Sequence, residues 1–250
     1  MAVSFSNTGI LTASTPRRRH RHRHKLTSRW AMASVAEEVE IRVCVNRSCG
    51  RQGSREILQA ISGLAPHDLA VASCGCLGLC GAGPNLVVLP PGSIVSHCGT
   101  VTRAAQLLAD LLGPGFEAKR NLEALAMRKK GEKELEMKNF SEAEVLFSQA
   151  IDLEPSGGCH LIYRSRSVAR LGMGDNAGAL DDAEEAANIA PKYPQAYLSQ
   201  GDAYMAMEKW TAAEKAYSNA LLIDPSIRRS KSFKARIAKL QEKLVALEAA

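Results

Sequence analysis

Apolar and polar residues alternate from Val39 to Val45, the period of a strand with one buried face. The period then lengthens. Ile57, Leu58 and Ile61 share one face of a helix predicted from Arg55 to about Gly63, with Ser54 as its cap. Short apolar runs at Leu69–Ala72, Leu86–Leu89 and Ile94–His97 predict three more strands, the last two joined by a turn at Pro90-Pro91-Gly92. An amphipathic helix starts at Thr100 or Thr102 and runs to Leu112. Gly113-Pro114-Gly115 cannot continue it. Composition changes there: residues 38–113 are rich in Gly, Cys and β-branched side chains, residues 120–250 in Ala, Glu, Lys and Leu. The two halves are expected to fold as separate units about that hinge.

The second half repeats itself. Gly131, Ala143, Ala150 and Pro155 recur as Ser167, Ala179, Ala186 and Pro191, then as Gly201, Ala213, Ala220 and Pro225. The offsets are 36 and 34 residues, with the extra two in Ser156–Gly158. Small residues at these offsets let two antiparallel helices touch, and each proline ends a pair. Leu146 and Phe147, then Tyr217, supply bulk between the helices, while the second unit lacks the aromatic. After Ile227, Phe233, Ile237, Leu240, Leu244 and Leu247 form one stripe on an otherwise basic helix. The pattern resembles three tetratricopeptide repeats over 120–225, closed by a capping helix over 226–250.

Within that family, Ala126–Pro155 looks most like heat-shock organising co-chaperones. Such proteins grip an acidic C-terminal tail with cations and asparagines on the first helix of each pair. Carried over singly, only Arg128 keeps a cation. Glu132 and Ser165 stand where asparagines would be, and Gln195 and Ser199 where cations would be. A carboxylate needs paired donors, and Glu132 would repel it. The inner face is instead expected to carry Arg128, Leu135, Leu161, Arg164, Val168, Leu171, Leu198 and Met205. That apolar floor with two arginines suits an apolar or amphipathic peptide of a protein client.

Charge alters the picture only at the N-terminus. The formal net charge is +6, but Arg17, Arg18, Arg19, Arg21, Arg23, Lys25 and Arg29 precede the first acid, Glu37. The remainder holds 25 basic and 26 acidic residues. No basic excess is left to argue for nucleic-acid binding. Residues 1–34 are acid-free, hydroxyl-rich and arginine-bearing only after residue 16. They resemble a chloroplast transit peptide, with a mitochondrial one as the alternative, so the stroma or the mitochondrial matrix is the expected location. His20, His22 and His24 alternate with cations that would oppose a metal ion. No run of about 18 apolar residues spans a membrane. The basic C-terminal helix leaves peripheral contact with an acidic partner or anionic lipid open.

Six of the seven cysteines lie in the first half. Four residues separate Cys44 from Cys49 and three separate Cys76 from Cys80, with glycines on all sides. Two such pairs bring two sulfurs to each of two irons, as a [2Fe–2S] cluster needs. Four thiolates also suit zinc, although zinc ribbons favour C-x2-C pairs. The string Val43–Ala60, followed by Ser73–Val95, resembles the thioredoxin-like [2Fe–2S] ferredoxins and the cluster-bearing small subunit of respiratory NADH dehydrogenase. That resemblance implies an α/β thioredoxin-like [2Fe–2S] ferredoxin domain over 38–113, with Cys44, Cys49, Cys76 and Cys80 as ligands. It leaves Cys74 at a strand end. Cys98 and Cys159 have no spacing partners and read as buried thiols. There is no C-x-x-C pair, Walker loop, Ser–His–Asp pattern or nucleotide fingerprint, so no catalytic residue is expected. Two functions then compete. One is an iron–sulfur-binding adaptor whose repeats dock a client, in assembly of plastid photosynthetic complexes. The other is an electron carrier whose repeats select its redox partner.

Overall fold

The computed structural model describes residues 39–248. The expected targeting segment, 1–34, lies outside them. Strand β1 (Glu40–Cys44) buries Ile41 and Val43 and turns Arg42 outward, as the alternation predicts. A five-residue helix, α1 (Arg47–Arg51), follows and has no counterpart in the hydrophobic pattern, being too short to show a period. Helix α2 (Ser54–Leu64) begins one residue early. Gly53, at φ 85°, takes the cap position, and Ser54 is buried inside the first turn instead of capping it. Strand β2 is Ala70–Cys74, β3 Leu86–Leu89 and β4 Ser93–Val95. Helix α3 (Val101–Leu112) is capped by Thr100, whose hydroxyl accepts from the Arg103 amide at 3.2 Å.

The four strands lie in the order β2-β1-β3-β4. β1 and β2 are parallel, with Cys44 opposite Cys74, and the other pairs are antiparallel. Ile57, Ile61 and Leu64 of α2 and Ala104, Ala105 and Leu108 of α3 join Ile41, Val43, Leu86 and Val88 in one core.

Seven helices follow: α4 (Ala118–Glu136), α5 (Phe140–Asp152), α6 (Cys159–Met173), α7 (Asn176–Ile189), α8 (Pro194–Ala206), α9 (Trp210–Ile223) and α10 (Lys231–Glu248). They pair as α4–α5, α6–α7 and α8–α9. Gly131 faces the Phe147 ring so closely that a Cβ would lie 2.7 Å from it, and Gly201 meets the Tyr217 ring in the same way. In the second pair Ser167 replaces that contact with a hydrogen bond, its hydroxyl donating to the Ala179 carbonyl at 2.6 Å. α10 closes the end: Phe233 and Leu240 share a core with Tyr217, and Arg236 donates twice to Asp202 at 2.7 Å.

The two halves pack against each other across the expected hinge. Phe116 and Leu125 are buried in the same core as Ile41 and Leu108, with Ala118 and Leu122 packed beside them. The Gly158 amide donates to the Ala65 carbonyl at 3.1 Å, and the Ser156 hydroxyl to the Gly115 carbonyl at 2.6 Å. A Cβ on Gly157 would overlap the Leu64 carbonyl oxygen. Composition marks the change of secondary structure, but apolar surface on α4 is completed by the sheet unit rather than by another repeat.

Candidate functional site

The cysteines gather at the end of β1 and the start of α2. Cys44 ends β1 and Cys49 sits in α1, and both are buried. Cys76 and Cys80, in the loop after β2, are exposed. The Cys76 and Cys80 sulfurs lie 3.6 Å apart. A tetrahedral metal with bonds of about 2.3 Å to sulfur sets two sulfurs about 3.8 Å apart, so this pair fits one metal. Donors surround the sulfurs. The Gly78 amide lies 3.4 Å from Cys76 Sγ, and Asn85 Nδ2 3.6 Å from Cys49 Sγ. Asn85 also ties the loop, donating to the Leu79 carbonyl at 2.7 Å. Gly83 leaves room beside Cys49, where a Cβ would sit 2.9 Å from the sulfur.

The thiols feel one another. Burial pushes the Cys44 thiol up, but amides of Asn46 and Leu77, helped by the Cys49 thiol, outweigh it, and the thiol stays below its ordinary value. Burial raises Cys49, and Cys44 adds to the rise. Cys80 is raised by its hydrogen bond with Cys76 and by repulsion from Cys76, Cys49 and Cys44. A cation relieves that repulsion, which is how thiolate sites couple metal binding to deprotonation. Among the described residues, no three His, Cys, Asp or Glu side chains are close enough to hold a single ion. Cys76 lies beside Cys80, and the Cys49 thiol hydrogen-bonds to Cys44. Cys74 is a neighbour that spacing undervalued. It pairs with Cys44 across the strands, and burial together with Cys44 raises its thiol. Cys98 is buried, and Cys159 donates to the Pro155 carbonyl at 2.8 Å.

The groove residues divide into three groups. On α6, Leu161, Arg164, Val168 and Leu171 are half-exposed, and the Arg164 Nε has no hydrogen-bond partner. Leu198 and Met205 are not open floor, because they pack into the terminal core with Phe233 and Leu240. Leu135 packs against the core of the first repeat, around Phe147. Arg128 is the main correction. Its side chain is only 9% exposed, pressed on Gly63 of α2, with Nε 3.5 Å from Glu132. Burial lowers its pKa, opposed by Glu132 and Tyr193. The sheet unit thus covers Arg128 on the first repeat.

Two residues missed by pattern reading line a cleft of about 740 Å³ beside that contact: His160, at the start of α6, and Tyr193, before α8. Their rings meet edge to face at 5.1 Å. Burial, with His67 and Arg128 nearby, pushes the His160 imidazole down to about 4. Neither residue has a spacing signal, because the cleft forms only when the sheet unit meets the repeats.

No family profile matches the chain. Curated relatives match through the repeats. A Dictyostelium discoideum protein named Protein STIP1 homolog is 32% identical over 103 residues, 41% of this chain and 18% of its own length. The small glutamine-rich tetratricopeptide repeat-containing protein 2 of Mycosarcoma maydis is 29% identical over 100 residues, 40% of this chain and 28% of its own. The Triticum aestivum Hsp70-Hsp90 organizing protein is 34% identical over 87 residues, 35% of this chain and 15% of its own. The chain therefore spans less than a third of the length of these relatives. Among solved structures, the first TPR domain of human RPAP3 aligns with TM-score 0.46 and 23% identity, over 51% of this chain and 97% of that one. The Sgt2 TPR domain of Aspergillus fumigatus gives 0.46 and 23%, over 51% and 83%. With the paired helices and the small-residue contacts at Gly131, Ser167 and Gly201, the relatives' sequences support a helical solenoid similar to tetratricopeptide repeats over α4–α9.

Proposed function

We propose that this chain is a non-enzymatic adaptor that docks a protein client on its second repeat while its sheet unit holds a [2Fe–2S] cluster. The observation that carries the docking is the face of α6. Leu161, Arg164, Val168 and Leu171 stand half-exposed there, next to a first repeat already filled by the chain's own α2. Relatives bearing the names STIP1 homolog and Hsp70-Hsp90 organizing protein support protein docking as the use of such repeats. The client is an apolar or amphipathic segment with an acidic flank for Arg164, because apolar side chains dominate the face. A chaperone C-terminal tail fits less well, since Arg128 is buried and Glu132 stands beside it.

For the cluster, support comes from the two sulfur pairs, the amide donors and the strand order, which is compatible with a thioredoxin-like ferredoxin. Cys44 and Cys49 would hold one iron, and Cys76 and Cys80 the other. The group supplies a one-electron couple. This chain's residues donate hydrogen bonds to the sulfurs and exclude water at the buried pair. The exposed position of Cys76 and Cys80 favours electron exchange as a second role. We place the protein in plastids on the composition of its first 34 residues, with photosynthetic complex assembly as its setting. A reporter carrying residues 1–60 should enter plastids, whereas a cytosolic signal removes the targeting. The docking is tested by co-purification from organelles with the full chain. Replacing Leu161 and Val168 by Ser should lose the client that the parent chain retains. Equal recovery with both chains would refute docking on α6. Among the described residues no helix is long and apolar enough to cross a membrane.

A further inference from the structure

The two ends of α2 differ in what they leave uncovered. Its C-terminal end is closed by Arg128, Gly157 and Gly158, whereas the cysteine loop packs on α1 at its N-terminal end. From Leu69 to Thr102 the chain carries no Asp, Glu, Lys or Arg. At the tip of this uncharged stretch Cys76 and Cys80 are exposed, Leu79 is 45% exposed, and Gly75, Gly78 and Gly81 border open space. One side of the loop is walled by α1, where the Ser48 hydroxyl donates to the Cys80 carbonyl at 2.8 Å. That wall and the turn after it carry Arg47, Arg51 and Arg55, four residues apart and all exposed. Among the described residues none of the three has an acidic partner within ion-pair distance. The acid on the same stretch, Glu56, lies in the first turn of α2, with Oε2 near Gly53.

We propose that this face docks an acidic protein surface, which seats on Leu79 and the cysteine loop and pairs its carboxylates with Arg47, Arg51 and Arg55. An uncharged centre with a charged rim is the anatomy of a protein interface, and rim charges set encounter rate and partner choice. The face lies at the end of α2 opposite Gly63 and Arg128, so the chain engages this partner and the groove client together. The inference rests on the adaptor reading for its meaning but not for its test.

The test uses the full chain with poly-L-glutamate as the probe and hydrogen exchange read peptide by peptide. Poly-L-glutamate should slow exchange over 46–55 and 74–83, and added salt should remove the effect. The triple variant Arg47→Glu, Arg51→Glu, Arg55→Glu should weaken binding at these segments on the order of tenfold or more. The triple Lys variant should keep it. All three side chains are exposed, so neither variant disturbs the core. Protection by poly-L-lysine, or protection confined to the basic stretch 228–243 and unchanged in the Glu variant, would overturn the proposal. Visible absorption of the same sample reports the cluster separately. A colourless chain with protected 46–55 loses the cluster reading and keeps the docking face.

Discussion

Arg128 and Arg164 occupy the same place in successive repeats, 36 residues apart, yet they live in different surroundings. Arg128 is pressed on Gly63, its side chain 9% exposed and its pKa lowered by burial. Arg164 stays half-exposed on the groove face of α6. The repeat sets where on a helix each cation sits. Whether it meets solvent depends on the sheet unit, which presses on Arg128 in the first repeat and meets the second at Gly158 and the start of α6. Equal repeat positions therefore do not imply equal binding roles.

The comparison breaks most readily at Phe116. If the halves were independent, a connector residue would be nearly neutral. Because Phe116 is buried in the sheet unit's core, Phe116→Ala should cost about 3–5 kcal/mol in urea unfolding. The full chain should also unfold its sheet unit and first repeat in one transition. A cost below about 0.5 kcal/mol would restore the hinge. Gly157→Ala comes next. Its new methyl meets backbone, which cannot step aside, so about 2–3 kcal/mol is expected by the same measurement.

Arginine truncations sharpen the contrast directly. Arg128→Ala should cost about 1–3 kcal/mol, because its stem packs and its loss leaves space under Gly63. Arg164→Ala should cost less, about 0.5–1 kcal/mol, because the side chain is half-exposed and its buried Nε has no hydrogen bond to lose. Similar values for both would erase the distinction. His160 adds a pH-dependent effect. Its folded pKa of about 4 lies below the ordinary 6.5, so between these values the unfolded chain binds a proton that the folded chain refuses. Stability should fall as pH drops from about 6.5 to 4, by about 1–2 kcal/mol after discounting for partial exposure. His67, Tyr193 and Arg128 surround the ring, and His160→Gln should flatten the slope.

Local periodicity and spacing made much of this legible. The alternation at Ile41 and Val43 gave β1, and the recurrence of Gly131 and Gly201 pointed to the contacts with Phe147 and Tyr217. The cysteine spacing raised the expectation of two pairs, and Cys76 and Cys80 lie 3.6 Å apart. Contacts between distant segments leave no such trace. Gly63 and Gly157 are ordinary glycines in sequence, and only the docking of α2 on the repeats explains them. The same docking buried Arg128 and created the cleft at His160 and Tyr193. α10 likewise covered Leu198 and Met205, because a capping helix draws on the very apolar residues that a groove displays.

The cluster we propose would be held by two cysteine pairs around the loop at the N-terminal end of α2. Its most direct test is iron and acid-labile sulfide analysis of anaerobically prepared chain, with each of the seven cysteines replaced in turn by Ser. The account predicts about two iron and two sulfide per chain. That content should be lost with Cys44, Cys49, Cys76 or Cys80 and kept with Cys74, Cys98 or Cys159. Stoichiometric zinc without sulfide, or loss with Cys74 and retention with Cys76, would contradict it.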